Sequence, residues 1–486
     1  MTAYRRVIVV GGGVGGLAVA IRLAAQGHGV TLFERNDVVG GKLASLTRDR
    51  YTFDIGPSLI TLPHVFDELF RAAGTTLAEQ VDLIRLDPQF RYHWLDGSVL
   101  TVFDDADQTA QSFDDLAAGA GDAWRAFDAR GRRVWGVAER TFFAGPMSNP
   151  MSLAKRMRSP TDLTAIDPIR TLNGSARSYF RDDRLVQWAG RYATYSGSSP
   201  FVAPGTLACI PHIESRFGCW YVRGGLDLLR TALEQVAEHS GVVIETGSEV
   251  ARISTANGRV TGVELVDGSH HAADIVVANT DAEHLYADLY DDPKALRKVR
   301  RAKRSTSGFA LCVGVRGLTP AIEHHNVWFS ADSSSEFGAI DRGDLADDPT
   351  IYACVSSVTD PTQAPDGCEN WFILVNTPPS VDVPVGGYTW AVLDRLAAHG
   401  VTLDGRIEFI EALTPRDIEQ RYRSPGGAIY GTSSDGVRAA FRRPANRGSV
   451  DGLYLVGGSS HPGGGLPLVA SSARIVADMI AGDVGR

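Results

Sequence analysis

The 486-residue chain contains no uninterrupted run of about 18 apolar residues, the length a membrane-spanning helix needs. Any contact with a bilayer is therefore expected to be peripheral. The opening stretch MTAYRRVIVVGGG lacks the apolar segment and small-residue cleavage site of a secretory signal, so no signal peptide is expected. Cysteine is sparse: Cys209, Cys219, Cys312, Cys354 and Cys368 are odd in number and include no C-x-x-C pair. That spacing excludes a thiolate zinc site, points to a reducing, cytoplasmic setting, and makes all five small buried hydrophobes. The twelve histidines show neither H-x-x-x-H nor H-E-x-x-H spacing, so no metal is expected. Positive charge is short as well, and a net charge of -9 argues against a nucleic-acid binder. Internal repeats and long low-complexity linkers are also missing.

What is present begins with Val7-Ile8-Val9-Val10, a continuous apolar run typical of a strand buried on both faces of a parallel sheet. Gly11-Gly12-Gly13-Val14-Gly15-Gly16 follows, then LAVAIRLAAQG, whose Leu17, Ala20, Ile21 and Ala24 share one helical face. Gly27 stands where a helix-ending glycine belongs, and a second strand, Val30 to Phe33, ends at Glu34. Strand, G-x-G-x-x-G, helix, strand and acid stand in the order of a dinucleotide fold. Gly11 makes the tight turn, Gly13 lets the backbone approach a pyrophosphate, and Gly16 permits close helix packing. Gly15 belongs to the same phosphate-facing helix start. Glu34 would accept hydrogen bonds from the ribose and repel a 2′-phosphate, which disfavours NADP. Arg35 and then Val39-Gly40-Gly41-Lys42 resemble the extension that flavoproteins of the glutathione-reductase-like superfold add to this motif, which implies FAD, with Gly41 and Lys42 at the pyrophosphate. No second G-x-G-x-x-G follows a strand, so no separate nicotinamide domain is expected.

The rest of the chain alternates in style. YTFDIGPSLITLP reads as a turn-rich apolar segment leading into a helix closed by Gly74, and Asp96-Gly97 marks a hairpin. Residues from about 110 to 215 carry helical and loop patterns rich in aromatics. Tyr221 to Thr280 returns to short strands, with turns at Asn257-Gly258 and Asp267-Gly268. Val250 lies where a crossing strand of this superfold passes the adenine, or else is ordinary strand core; the sequence leaves both open. The basic run from Lys294 to Arg304 is a solvated helix face or a contact with anionic lipid headgroups. The expected fold is a Rossmann-like α/β FAD-binding domain with a parallel sheet, from residues 1–75, 221–288 and 416–486. An α+β substrate domain with an antiparallel sheet and a possible membrane-facing segment is built from insertions at 76–220 and 289–415.

Leu453-Tyr454-Leu455-Val456 is a last parallel-type strand that enters GGSSHPGGGLPLVASS, Gly457 to Ser472. The helix beyond it has Pro467 near its first turn, Gly482 past its end, and Leu468, Ile475, Val476, Met479 and Ile480 on its buried side. Together with GGGVGGLAVAIRLAAQGHGVTLFERNDVVGGK, FDIGPSLITLP, YVRGGLDLL and GAIYG, the tail LYLVGGSSHPGGGLPLV resembles the bacterial phytoene desaturase family of carotenoid dehydrogenases. The resemblance implies a flavoenzyme, peripherally bound to the inner face of the cell membrane, that removes hydrogen from an acyclic C30 or C40 polyene. Gly457, Gly458, Gly465, Leu466 and Pro467 would then approach the flavin. Phytoene-acting members more often read G-A-G-x-x-H-P-G-A-G-I-P-G-V in the tail. The departure here points to a later substrate, hydroxylated or already desaturated, as for a hydroxycarotenoid 3,4-desaturase.

The chemistry implied is hydride transfer from an allylic carbon to flavin N5, with a proton leaving the neighbouring carbon and oxygen or a quinone as terminal acceptor. His461 either takes that proton or fixes its loop through hydrogen bonds. Three other functions compete: a redox-neutral carotenoid isomerase, a monoamine-oxidase-like enzyme with an aromatic cage, and a non-enzymatic prenyl-binding chaperone of the same superfold. The retained glycines disfavour the chaperone.

Overall fold

Alternation along the first apolar run sets the layers of the molecule. In the computed structural model, which describes residues 4–147, 150–167, 169–436 and 439–484, Arg6–Val10 (β1) is the middle strand of a five-stranded, all-parallel sheet. Across that sheet the order is Leu453–Leu455, Ile275–Ala278, β1, Gly29–Phe33 (β2) and Val243–Glu245. Val7 and Val9 face a helical layer containing Leu17, Ala20 and Ile21 of Val14–Ala25 (α1), with Val476 and Ile480 of the Leu466–Val484 helix. Ile8 and Val10 face the other way, onto Val250, Ile253, Val260 and Val263 of a three-stranded antiparallel sheet. Each such side chain contributes roughly 1.5–3 kcal/mol by leaving water. A polar residue on either face would forfeit that, which is why the run is apolar throughout.

A second sheet of seven strands draws on two distant parts of the chain, residues 90–102 and 307–413. Its order is Ile407–Leu413, Ser307–Arg316, Cys368–Thr377, Ile351–Val355, His325–Trp328, Phe90–His93 and Val99–Val102. All neighbours are antiparallel except His325–Trp328 with Phe90–His93. The helix Val385–Ala398 covers one face through Val392, Leu393 and Leu396. A helical layer from Ala106 to Phe217 packs around Trp188, which meets Phe113, Phe127, Phe180 and Tyr192 edge-on. This is the expected fold class, a parallel α/β sheet beside a largely antiparallel one.

Several local expectations need correction. Tyr51–Asp54 is a strand, paired with Ser45–Arg48, where the sequence suggested only turns; Tyr51 and Phe53 are both buried against Phe409. The last helix runs through Gly482 to Val484, since one glycine costs only about 1 kcal/mol and Ile480 still packs. Leu468 and Met479 are half-buried rather than core, and so is Cys368, while the other four cysteines are buried. The basic run is not wholly free: Arg300 and Arg304 pair with Glu283, and Lys303 pairs with Asp341 and Asp435.

Candidate active site

The carboxyl ends of β1, of Ile275–Ala278 and of Leu453–Leu455 lie at one edge of the parallel sheet, and the chain leaves them as Gly11, Asn279 and Val456-Gly457. Such an edge is where open α/β sheets bind ligands. Gly11 takes a positive φ of 96°, and a Cβ at Gly16 would stand 2.1 Å from the Gly11 carbonyl oxygen. The helix can start this close only without side chains. Asn279 occupies the centre: its Nδ2 donates to the Gly11 carbonyl at 3.2 Å. A Cβ on Gly13 would meet that Nδ2 at 2.9 Å, and a Cβ on Gly15 or Gly457 would meet Oδ1 at 2.6 Å. Gly41 closes the group, with Gly13 Cα 3.1 Å from where its Cβ would be. The two ends of the chain thus meet around a residue of the Tyr221–Thr280 stretch that carries none of the motifs noted above. Its one signal was a polar residue ending an apolar strand.

α1 begins without a capping side chain and without an acid in its first turn, so its positive end is bare. Buried Glu34 accepts the Gly12 N–H at 2.7 Å through Oε2, and Asn36 N–H and Nδ2 through Oε1. The turn before Val250 is stitched to the same residue, Ser248 N–H donating to the Glu34 carbonyl at 2.8 Å. Val250 itself is buried with Ile8, Val10 and Phe33, so the core reading of that residue is satisfied whatever else it does. Two basic candidates are committed elsewhere. Arg35 donates to the carbonyls of Gln420 and Arg421, at the end of the Pro415–Tyr422 helix, where a cation answers the helix dipole. Lys42 donates to the carbonyls of Ala428 and Ile429 at 3.2 and 2.7 Å, and burial pulls its ammonium down to about 8.

The carboxy-terminal loop is held by buried polar side chains. Arg443 donates to the carbonyls of Tyr430, Thr432 and Gly458; Asn446 donates to those of Leu455 and His461. His461 is 1% exposed, its Nε2 directed at the carbonyls of Phe142 and Gly145 at 2.9 and 3.2 Å. Burial drives the imidazole down to about 4. The ring fastens the loop to the Phe142–Gly145 segment and does not line the cavity described next, so the proton-acceptor role is not what its geometry serves.

A cavity of about 250 Å³ begins at Gly465, Leu466 and Pro467 and runs along the second sheet, walled by Phe90, Phe329 and Phe372. No histidine or cysteine is among the described residues lining it. Its two charged wall residues differ. Glu336 is satisfied by Ser330, by the Thr350 hydroxyl and by the Thr350 N–H, and burial pushes its carboxyl up. Arg191 has no carboxylate within salt-bridge reach among the described residues; four rings surround it instead, with Phe90 nearest at 4.8 Å. One cluster escaped the spacing rules: ligand-type atoms of His324, His325 and Cys354 lie within 4.8 Å of one another. Each of these histidines already holds a hydroxyl on Nδ1, of Thr359 and of Tyr352 respectively.

Comparison with known proteins agrees with this architecture. The sequence model of a family described as flavin containing amine oxidoreductase matches residues 14–481. A 4,4'-diapolycopene oxygenase of Methylomonas is 36% identical over 99% of this chain and 99% of its own length. A hydroxyneurosporene desaturase of Cereibacter sphaeroides is 36% identical over 99% of this chain and 98% of its own. A 4,4'-diaponeurosporene oxygenase of Staphylococcus haemolyticus is 34% identical over 98% and 97%. Among solved structures, a putrescine oxidase variant superposes with a TM-score of 0.68 at 13% identity, over 100% of this chain and 99% of its own. An oxidoreductase from Methanosarcina mazei gives 0.65 at 18%, over 97% and 100%. At those identities the structures share the fold alone.

Proposed function

The chain belongs to the flavin-containing amine oxidoreductase family, and from that premise we propose that it is an FAD-dependent desaturase of long acyclic carotenoids. The substrate in this reading is late in its series, hydroxylated or already partly desaturated. The unit formed by 1–75, 221–288 and 416–486 holds FAD; the unit formed by 76–220 and 289–415 holds the polyene.

The residues present fit FAD. A bare positive helix end suits a pyrophosphate, the glycines bring backbone to it, and Glu34, with both Oε1 sites taken by Asn36 and one Oε2 site by Gly12, keeps acceptor capacity on Oε2 for a ribose hydroxyl. Gly11, Gly13, Gly15, Gly16 and Gly41 would hold the dinucleotide, and Gly457, Gly458, Gly465, Leu466 and Pro467 would approach the ring. FAD, when bound, supplies a two-electron acceptor for a hydride leaving the substrate. The observation that carries the reading is the cavity, which starts at the loop joined to the glycine cradle and is walled largely by rings and aliphatic side chains. With no imidazole or thiolate in the wall, the protein's contribution is to orient an apolar chain and exclude water. Arg191 weighs against an amine substrate, because an ammonium would share a low-dielectric cavity with a guanidinium that has no carboxylate in direct contact among the described residues. The aromatic rings there already enclose a cation of the protein's own.

The test is FAD-loaded protein in liposomes given an acyclic carotenoid, with oxygen in one arm and a quinone in the other. The expected result is absorption at longer wavelength and a product lighter by two hydrogens per step. A product heavier by oxygen would assign an oxygenase, as two of the relatives are named. Turnover of amines without a polyene shift would assign an amine oxidase. Protein that takes up no FAD, or a Glu34→Arg variant that retains it, would overturn the cofactor site.

A further inference from the structure

Arg191 stands out because its surroundings satisfy its charge but not its hydrogen bonds. It lies deep in the molecule and keeps accessible surface only because it lines the cavity. The guanidinium carbon is 4.8 Å from the Phe90 ring centre, 5.4 Å from Tyr195, 5.6 Å from Tyr92 and 5.7 Å from Tyr352. Ring faces attract a cation, yet they accept none of the five N–H donors along the rim of a guanidinium. Among the described residues its guanidinium makes one hydrogen bond, a long contact of 3.5 Å from Nη1 to the Tyr195 hydroxyl. Tyr195 in turn donates at 2.6 Å to Glu214, which also takes the Tyr192 hydroxyl at 2.9 Å. The acid that would have neutralised Arg191 is thus turned toward two phenols. A buried donor left unmade is expensive, and an apolar hydrocarbon in the cavity would leave these unmade.

We propose that Arg191 is a substrate subsite that takes an oxygen, hydroxyl or carbonyl, borne near the end of the polyene. This rests on the polyene reading above and deepens it, because it names the chemical feature by which this chain selects its substrate. A cation is a poor neighbour for a carbon losing hydride, so the oxygen end and the reacting carbons lie apart along the cavity. Neutral oxygen is preferred to an ammonium for reasons of charge.

The experiment uses FAD-loaded full-length protein and two acyclic carotenoids that differ only by one terminal oxygen. Binding is read without turnover by quenching of protein fluorescence on enzyme whose FAD has been reduced beforehand and kept anaerobic, so that no hydride can be accepted, and kcat/KM is read separately. Wild type is expected to favour the oxygenated compound by about tenfold or more, the effect of one hydrogen bond to a charged group. In Arg191→Met that ratio falls close to one. Arg191→Lys, which keeps the charge in the cage but loses the fork, falls between. Equal binding of the two compounds by wild type, or an undiminished ratio in Arg191→Met, overturns the subsite while leaving the desaturase reading intact. If Arg191→Met does not retain FAD, the lysine variant decides, and an unchanged ratio there overturns the subsite too. Failure of wild type to bind or convert either compound strikes the polyene reading itself, which separates the two.

Discussion

Gly16 has the Gly11 carbonyl where its Cβ would stand, and Asn279 fills the space between the first and last glycine loops, so both are single-residue tests of the cradle. Gly16→Ala must push α1 away from the loop; overpacking of this kind typically costs about 1–3 kcal/mol, and the variant should melt earlier and lose flavin on gel filtration. Asn279→Ala leaves the Gly11 carbonyl without this donor, a loss of about 1 kcal/mol or somewhat more, so FAD should bind roughly tenfold more weakly in a fluorescence titration. Unchanged affinity in Asn279→Ala would mean the two loops hold together without it. His461 gives a pH signature. Folded, it stays neutral down to about 4; unfolded, a histidine takes its proton near 6.5. Between those values the unfolded chain binds more protons, so stability is whole above pH 6.5 and falls as pH drops toward 4, by up to about 3 kcal/mol from this residue. His461→Gln should flatten that slope relative to wild type in urea melts at pH 4.5, 5.5 and 6.5, whatever it does to stability at pH 7. The glycines of this site were legible because each has a local backbone reason. Asn279 was not, because its role exists only once three distant segments converge.

At the scale of elements, the apolar runs read correctly wherever burial on both faces left no polar position. β1 and, within the Tyr221–Thr280 stretch, Ile275–Ala278 are such cases, and both carry nearly continuous burial. Tyr51–Asp54 failed because its flanking Asp-Ile-Gly-Pro looks like a turn, while its pairing with Ser45–Arg48 and its packing on Phe409 are tertiary facts. Gly482 failed for the converse reason: packing of Ile480 and its neighbours carries the helix past a residue that would end an isolated one. The same logic applies to the basic run from Lys294 to Arg304. Arg300 and Arg304 share Glu283, which is nearly buried, and Lys303 bridges to two aspartates, so the Pro293–Arg300 helix is tied into the protein. Replacing Glu283 by Gln should therefore cost stability, about 1 kcal/mol or more for a buried acid with two exposed arginines, measured by thermal melts at pH 7. A loss that vanishes at high salt would place those pairs at the surface instead.

At the scale of the whole molecule, an apolar substrate must reach an internal cavity, and no helix among the described residues is long and apolar enough to cross a membrane. A cluster of exposed large apolar side chains lies between residues 151 and 169. Met151, Leu163 and Ile169 are 66%, 52% and 82% exposed, and Lys155 and Arg158 are exposed beside them in sequence. Four residues beyond Ile169, Asn173 lines the cavity, so the exposed segment and the cavity wall are one short piece of chain. Large apolar side chains presented to water with cations nearby are the pattern of an interfacial surface, each residue contributing roughly 1.5–3 kcal/mol when it enters lipid. We expect the purified protein to co-sediment with anionic vesicles and the triple variant Met151→Asp, Leu163→Asp, Ile169→Asp to remain in the supernatant. Replacing the exposed Lys294, Arg297 and Lys298 by Gln should leave sedimentation close to wild type, because that helix offers charge without apolar surface. The reverse pattern would move the membrane face to the basic helix and detach it from the cavity. Desaturation of a carotenoid dissolved in vesicles should fall with binding in the triple variant, while the same carotenoid presented in detergent is converted at the wild-type rate, since neither the glycine cradle nor the cavity wall has been touched.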